Sequence, residues 1–116
     1  MSLQKEVIKN CKNFINNNDL YELKQYYNHI LDLKIEYNIN LEYLFKEVFY
    51  CACYTLNKEI ILWLISIYNT FDDITKIALR QIFIYGKYIF INKCKDDTKT
   101  NTELVKWYQE NIIIKL

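Results

Sequence analysis

Cys51 and Cys53, one residue apart, are the first side chains here whose types invite chemistry, because thiolates bind zinc and attack electrophiles. Zinc sites usually leave two to four residues between such cysteines, and on a helix a one-residue gap turns the two sulfurs about 200° apart. Cys53 therefore reads as a small core residue, and no metal is expected. Cys11 and Cys94 complete the four cysteines at spacings that form no disulfide framework, so free thiols in a reducing, cytoplasmic compartment are expected. A Cys–His nucleophile would need His29, the only histidine, and no Gly-rich turn stands ready to build an oxyanion hole. Between Asn28 and Ile30, His29 reads as a surface or half-buried helix residue.

The acidic pairs Asp72-Asp73 and Asp96-Asp97 fall at expected helix ends, where carboxylates cap backbone N–H groups. A phosphate-cradling loop needs several glycines, and Gly86 is alone. The densest basic stretch, Lys87 to Lys99, is cut by Asp96-Asp97, so no specific nucleic-acid binding is expected. No catalytic, cofactor-binding or metal-binding residue emerges, and the chain is expected not to be an enzyme. Tyr26-Tyr27, Tyr50 with Tyr54, and Tyr85 with Tyr88 could present amphipathic rings to a protein partner, but codon bias together with helix–helix packing is the preferred account of them. Which face would bind stays unassigned at this stage.

The elements holding these residues are legible in period and punctuation. With 116 residues, 52% hydrophobic, and a net charge of +1, the chain can bury the core of one domain without a polarised surface. Met1-Ser2-Leu3-Gln4-Lys5-Glu6 does not resemble a signal peptide, and the longest apolar run, Ile60 to Ile67, is shorter than the ~18 residues of a membrane span. No membrane partner is expected. Without proline, boundaries come from clusters such as Asn16-Asn17-Asn18-Asp19, Asn69-Thr70-Phe71-Asp72-Asp73 and Asp96 to Thr102. Weaker breaks fall at Tyr37 to Asn40, Leu56-Asn57 and Gly86.

Between the breaks, Leu41, Leu44, Phe45, Val48, Phe49 and Ala52 recur at helical spacing, as do Ile74, Ile77, Ala78, Ile82 and Tyr85. Each set is expected on one buried face. The layout is about seven helices near 4–15, 19–33, 41–55, 58–69, 73–85, 87–95 and 101–114. Asn18 or Asp19, Asn40, Asn57, Asp72 or Asp73, and Asn101 or Thr102 stand ready as caps, and Thr100 with Glu103 has capping-box spacing.

A repeat underlies this layout. Val48 to Leu64 aligns with Ala78 to Cys94 on their breaks at Leu56 and Gly86, and a fainter copy runs through Ile15, Asp19, Glu22-Leu23 and Tyr26-Tyr27. Thr102 to Tyr108 repeats a second-helix half. The breaks at Asp19, Leu56 and Gly86 are 37 and 30 residues apart, bracketing the ~33 of an ankyrin repeat. Ala52-Cys53, Glu59-Ile60-Ile61 and Trp63-Leu64 resemble the divergent ankyrin repeats of large DNA viruses, and the abundance of Ile, Asn, Lys and Tyr suits an AT-rich genome. The departures are the missing T-P-L-H tetrapeptide, Leu56 where glycine is usual, and irregular spacing.

The expectation is an all-α, single-domain chain over residues 1–116, a stack of antiparallel helix pairs forming an ankyrin-like α-solenoid, with a compact helical bundle as the alternative. Gly86 is expected at a φ > 0 turn, and Trp63 in the core with Trp107 more exposed. The resemblance implies a non-enzymatic protein–protein interaction module, with a host or viral protein as partner. The alternative is a small structural or assembly subunit, which exposure of Ile112-Ile113-Ile114 would favour.

Overall fold

Four helices begin on an Asn or Asp side chain that accepts from a backbone N–H three residues on. Asp19 receives Glu22 N at 3.1 Å, Asn40 Tyr43 N at 3.0 Å, Asn57 Ile60 N at 3.0 Å, and Asp72 Thr75 N at 2.7 Å. Each bond satisfies one of the donors a helix start leaves open, which stabilises the start by about 1 kcal/mol. The computed structural model that carries them describes residues 3–33, 35–93 and 98–115. Cys94, Lys95 and Asp96-Asp97 lie outside these residues.

The chain is all-α. Its helices are α1 (Leu3–Asn16), α2 (Leu20–Leu33), α3 (Leu41–Tyr54), α4 (Lys58–Tyr68), α5 (Asp73–Lys93) and α6 (Thr98–Tyr108), followed by a π-helical turn, Gln109–Ile113. Among the described residues six α-helices stand where seven were expected, because α5 runs unbroken through Gly86 from Asp73 to Lys93. The backbone of α6 already begins at Thr98, so Asn101, Thr102 and the Thr100/Glu103 pair fall inside it. No helix among the described residues is long and apolar enough to cross a membrane.

Helices α1 and α3 lie side by side, and α3 lies against α5. At one end the Gln4 amide brackets Asn40, donating to its carbonyl at 3.0 Å and accepting from its N–H at 2.8 Å. At the other, Asn57 Nδ2 donates to Asn18 Oδ1. Pinned at both ends, α1 and α3 run parallel. α2 packs on α1, α4 on α3, and α6 with the π turn on α5. Tyr27 of α2 meets Trp63 of α4 edge-on at 5.5 Å, and Lys58 of α4 lies 5.3 Å from the Trp107 ring of α6.

The first two pairs obey one geometric repeat. Thirty-eight residues separate Leu3 from Leu41, Asn16 from Tyr54, and Leu20 from Lys58. The same offset carries Asn18 onto Leu56, both left-handed at φ 54 and 58. Around each, the helix end closes alike: Asp19 N reaches Phe14 O at 2.8 Å and Asn57 N reaches Ala52 O at 3.2 Å, the 6→1 bond of a Schellman motif. Leu56 thus ends α3 in a left-handed conformation, as Asn18 ends α1. The expectation for Gly86 is corrected accordingly, since its φ is not positive and it sits mid-helix.

Gly86 matters for a different reason. A Cβ built there would lie 2.6 Å from Phe49 Cε1, 2.7 Å from the Tyr108 hydroxyl and 3.1 Å from Cys53 Sγ. Its missing side chain lets α5 seat against α3 while Tyr108 donates to Phe83 O at 2.7 Å from beneath. Phe45, Phe49, Tyr68 and Phe83 surround the contact, with Tyr68–Phe83 and Phe49–Phe83 centroids at 4.7 and 4.9 Å. Edge-on pairs of this kind contribute about 0.5–1.5 kcal/mol each beyond burial.

Two expectations of burial also change. On α5, Ile82 is buried but Ile74, Ile77, Ala78 and Tyr85 face outward, while Leu79, Phe83, Gly86 and Phe90 complete the inner face. Trp63 is half-buried, like Trp107, because α4 is covered by α3 on one side and only edge-on by Tyr27 on another. On α3, Leu44, Phe45, Val48, Phe49 and Ala52 are buried as the period implied, with Leu41 half-buried.

Gly86→Ala is expected to lower stability by about 1–2 kcal/mol in urea unfolding, because overpacking outweighs the ~1 kcal/mol that alanine gains in a helix. A variant more stable than wild type would mean that α5 does not seat on α3 at Gly86. Tyr27 is 2% exposed and its hydroxyl has no hydrogen-bond partner. Tyr27→Phe, which deletes that unpaired group, should raise the urea midpoint by the equivalent of about 1 kcal/mol. A loss of stability would show that the hydroxyl is paired.

Candidate functional site

The parallel helices α1, α3 and α5 leave one face uncovered, opposite the side that packs on α2, α4 and α6. Along α3 that face carries Tyr43, Glu47, Tyr50 and Tyr54, spaced four, three and four. Two depressions lie along it. One, of about 590 Å³, runs between α1 and α3 and is lined by Ile8, Lys9, Lys12, Tyr43 and Glu47 among others. The second, of about 360 Å³, continues from Lys12 and Asn16 past Tyr50, Cys51 and Tyr54 to Ile89 of α5. Together they form a groove that crosses all three helices.

Polar groups in the groove hold one another in place. Lys12 Nζ lies 3.4 Å from Glu47 Oε2, with both side chains partly exposed, so the pair contributes little stability by itself. The Tyr43 hydroxyl donates to the same carboxylate, and this hydrogen bond holds its pKa above the usual value. Burial, then Tyr85, raises that of Tyr50. Lys93 Nζ lies 4.3 Å from the centre of the Tyr54 ring, a cation–π contact that tethers the end of α5 to the groove wall. Among the described residues, Glu47 is the one carboxylate lining either depression, against Lys5, Lys9 and Lys12. The α1 side is therefore basic and the α3 side aromatic.

The tyrosine pairs read from the sequence divide. Tyr54, Tyr85 and Tyr88 are exposed and Tyr50 is half-buried, but Tyr27 is in the core and Tyr26 is half-buried, its hydroxyl accepting from Asn10 Nδ2 at 2.9 Å. The signal that would have found the groove was the period of Tyr43, Tyr50 and Tyr54 on the polar side of α3.

Cys51 turns toward α1, its thiol 3.9 Å from Asn16 Oδ1, whereas Cys53 points to Gly86 and Tyr108. The two sulfurs lie on different sides of α3. Among the described residues, no group of three or more His, Cys, Asp and Glu converges. His29 is exposed on α2, and Asp72 serves as a cap, the Thr75 backbone N–H holding its carboxyl below the usual value.

Burial pushes the Cys11 thiol up to about 12 and the Cys53 thiol higher still, from an ordinary 9.0. Both stay protonated in the folded chain when the unfolded chain has begun to lose its thiol protons. Their contribution is complete below pH 9, and it falls by about 1.4 kcal/mol per thiol per pH unit between pH 9 and about pH 12. The urea midpoint should therefore drop between pH 8 and 10, and Cys11→Ala/Cys53→Ala should delay the drop toward the tyrosine range. A midpoint unchanged from pH 8 to 10.5 would mean that these thiols are solvated.

Comparison of the chain with protein-family models, curated proteins and solved structures finds no match, so a functional reading rests on this surface chemistry.

Proposed function

We propose that this chain is a non-enzymatic protein–protein interaction module, an ankyrin-like α-solenoid of helix pairs that takes a segment of a partner protein along the groove over α1, α3 and α5. The groove itself carries the reading: Tyr43, Tyr50 and Tyr54 line it at helical spacing, beside Lys9 and Lys12. Tyrosine offers a large, stiff, amphipathic contact at low conformational cost, which suits protein recognition. Lysines along the α1 wall favour a segment with acidic side chains. The 38-residue repeat of the first two helix pairs supports the solenoid, whose stacked units create extended surfaces of this type.

The resemblance of Ala52-Cys53, Glu59-Ile60-Ile61 and Trp63-Leu64 to viral ankyrin repeats extends the proposal to a host or viral partner inside an infected cell. A second reading, a small assembly subunit, draws on the outer face of α5. The C-terminal isoleucines favour it less, since Ile112 is buried, Ile113 half-buried and only Ile114 exposed.

A photoreactive group at Tyr54 should cross-link a discrete partner in cell extract, whereas the same group at Tyr21, exposed on α2, should not. Tyr43→Ala/Tyr54→Ala should then weaken binding of that partner at least about tenfold while the melting temperature stays within a few degrees. Equal binding by the double variant would overturn the groove as the docking site.

A further inference from the structure

The two walls of the groove are the same four positions of the repeat. Moved on by 38 residues, the offset between Leu3 and Leu41, Lys5 falls on Tyr43, Lys9 on Glu47, Lys12 on Tyr50 and Asn16 on Tyr54. All of these side chains line the two depressions. Because α1 and α3 run parallel and in register, the groove is a straight furrow between two rails, each stepping four, three and four residues over about 16 Å. One rail is basic and the other aromatic.

Such a furrow selects the form of what lies in it. An extended segment would bring unpaired backbone N–H and C=O groups between helices whose own backbones are already bonded, and no strand edge is offered among the described residues. A helix satisfies its own backbone, and its rows at i, i+4 and i+7 have the spacing of both rails. The aromatic rail is also set in advance. Lys46 lies 4.9 Å from the centre of the Tyr43 ring, the Tyr43 hydroxyl donates to Glu47, and Lys93 covers Tyr54, so docking costs these rings little further freedom.

Charge selects the occupant. Glu47 is already shared between Lys12, at 3.4 Å, and the Tyr43 hydroxyl, so a row of three lysines faces a single engaged carboxylate. We infer that, on the reading of the groove as the docking site, its occupant is an acidic amphipathic helix of a partner protein. Carboxylates at i, i+4 and i+7 of that helix lie along Lys5, Lys9 and Lys12, and an apolar row beside them rests on Tyr43, Tyr50 and Tyr54. A carboxylate arriving at Lys12 competes with Glu47, which makes Glu47 an internal rival of the ligand.

The probe is a stapled helical peptide with Glu at i, i+4 and i+7 and Leu one residue after each, read by fluorescence anisotropy against the full chain. It should bind with a Kd of about 10–100 μM. A proline-broken copy, and a copy with Lys for each Glu, should bind at least about tenfold more weakly. Glu47→Gln should tighten the acidic helix about threefold. Lys9→Glu/Lys12→Glu, at exposed and half-buried sites, should lose the acidic helix and accept the Lys copy instead. Should that variant fail to fold, Glu47→Gln still decides, because a gain of affinity on losing a side chain is not a folding defect. Equal binding by the proline-broken copy, tighter binding of the Lys copy, or weaker binding to Glu47→Gln would each overturn the inference. Displacement of the acidic helix by oligothymidylate at lower concentration would do the same and assign the furrow to single-stranded nucleic acid. An acidic helix that fails at about 1 mM while the group at Tyr54 still captures a partner sinks the acidic helix and leaves the groove. A partner bound equally by Tyr43→Ala/Tyr54→Ala sinks the groove itself.

Discussion

The contact on which the rest of this structure depends is the close approach of α5 to α3 at Gly86. Because no Cβ stands there, Phe49, Cys53 and the Tyr108 hydroxyl converge on one backbone position, and Tyr108 still reaches the Phe83 carbonyl. That buried hydrogen bond ties α6 to α5 and fixes the rotation of α5 about its axis. The rest follows from 100° per residue. With Gly86, Phe83 and Phe90 inward, Ile77, Gln81 and Tyr88 must point away from α3, while Ile89 and Lys93 swing toward Tyr54 at the end of the groove. A glycine inside a helix is unfavourable by ~1 kcal/mol against alanine, and here the aromatic packing it permits offsets that deficit.

Helix pairs were legible in the sequence, but the repeat was misread at its second half. Aligning Leu56 with Gly86 treated both as punctuation, since glycine commonly ends helices. In the structure the left-handed position recurs at Asn18 and Leu56, and the pair 38 residues apart is the faint copy through Ile15 and Asp19. Equivalent positions share burial without sharing identity: Val7 with Phe45, Cys11 with Phe49, Ile15 with Cys53. A repeat conserved in geometry and not in residue type leaves little for sequence alignment to find. Leu56 tolerates a left-handed φ costing about 1–2 kcal/mol because the Schellman bonds close around it and its side chain is partly covered.

Caps were read to within a residue at Asn18 or Asp19, at Asn40, at Asn57 and at Asp72 or Asp73, though not at Asn101 or Thr102, because a cap is local: a short oxygen-bearing side chain meets an open N–H three residues on. The sidedness of α5 could not be read the same way. Apolar residues surround much of that helix, so its period alone does not say which stripe meets α3, and the set through Ile74, Ile77 and Tyr85 was assigned inward. Only the size constraint at Gly86 selects the other stripe. Trp63 was misjudged for a related reason, since an apolar run does not reveal how many neighbouring layers cover it.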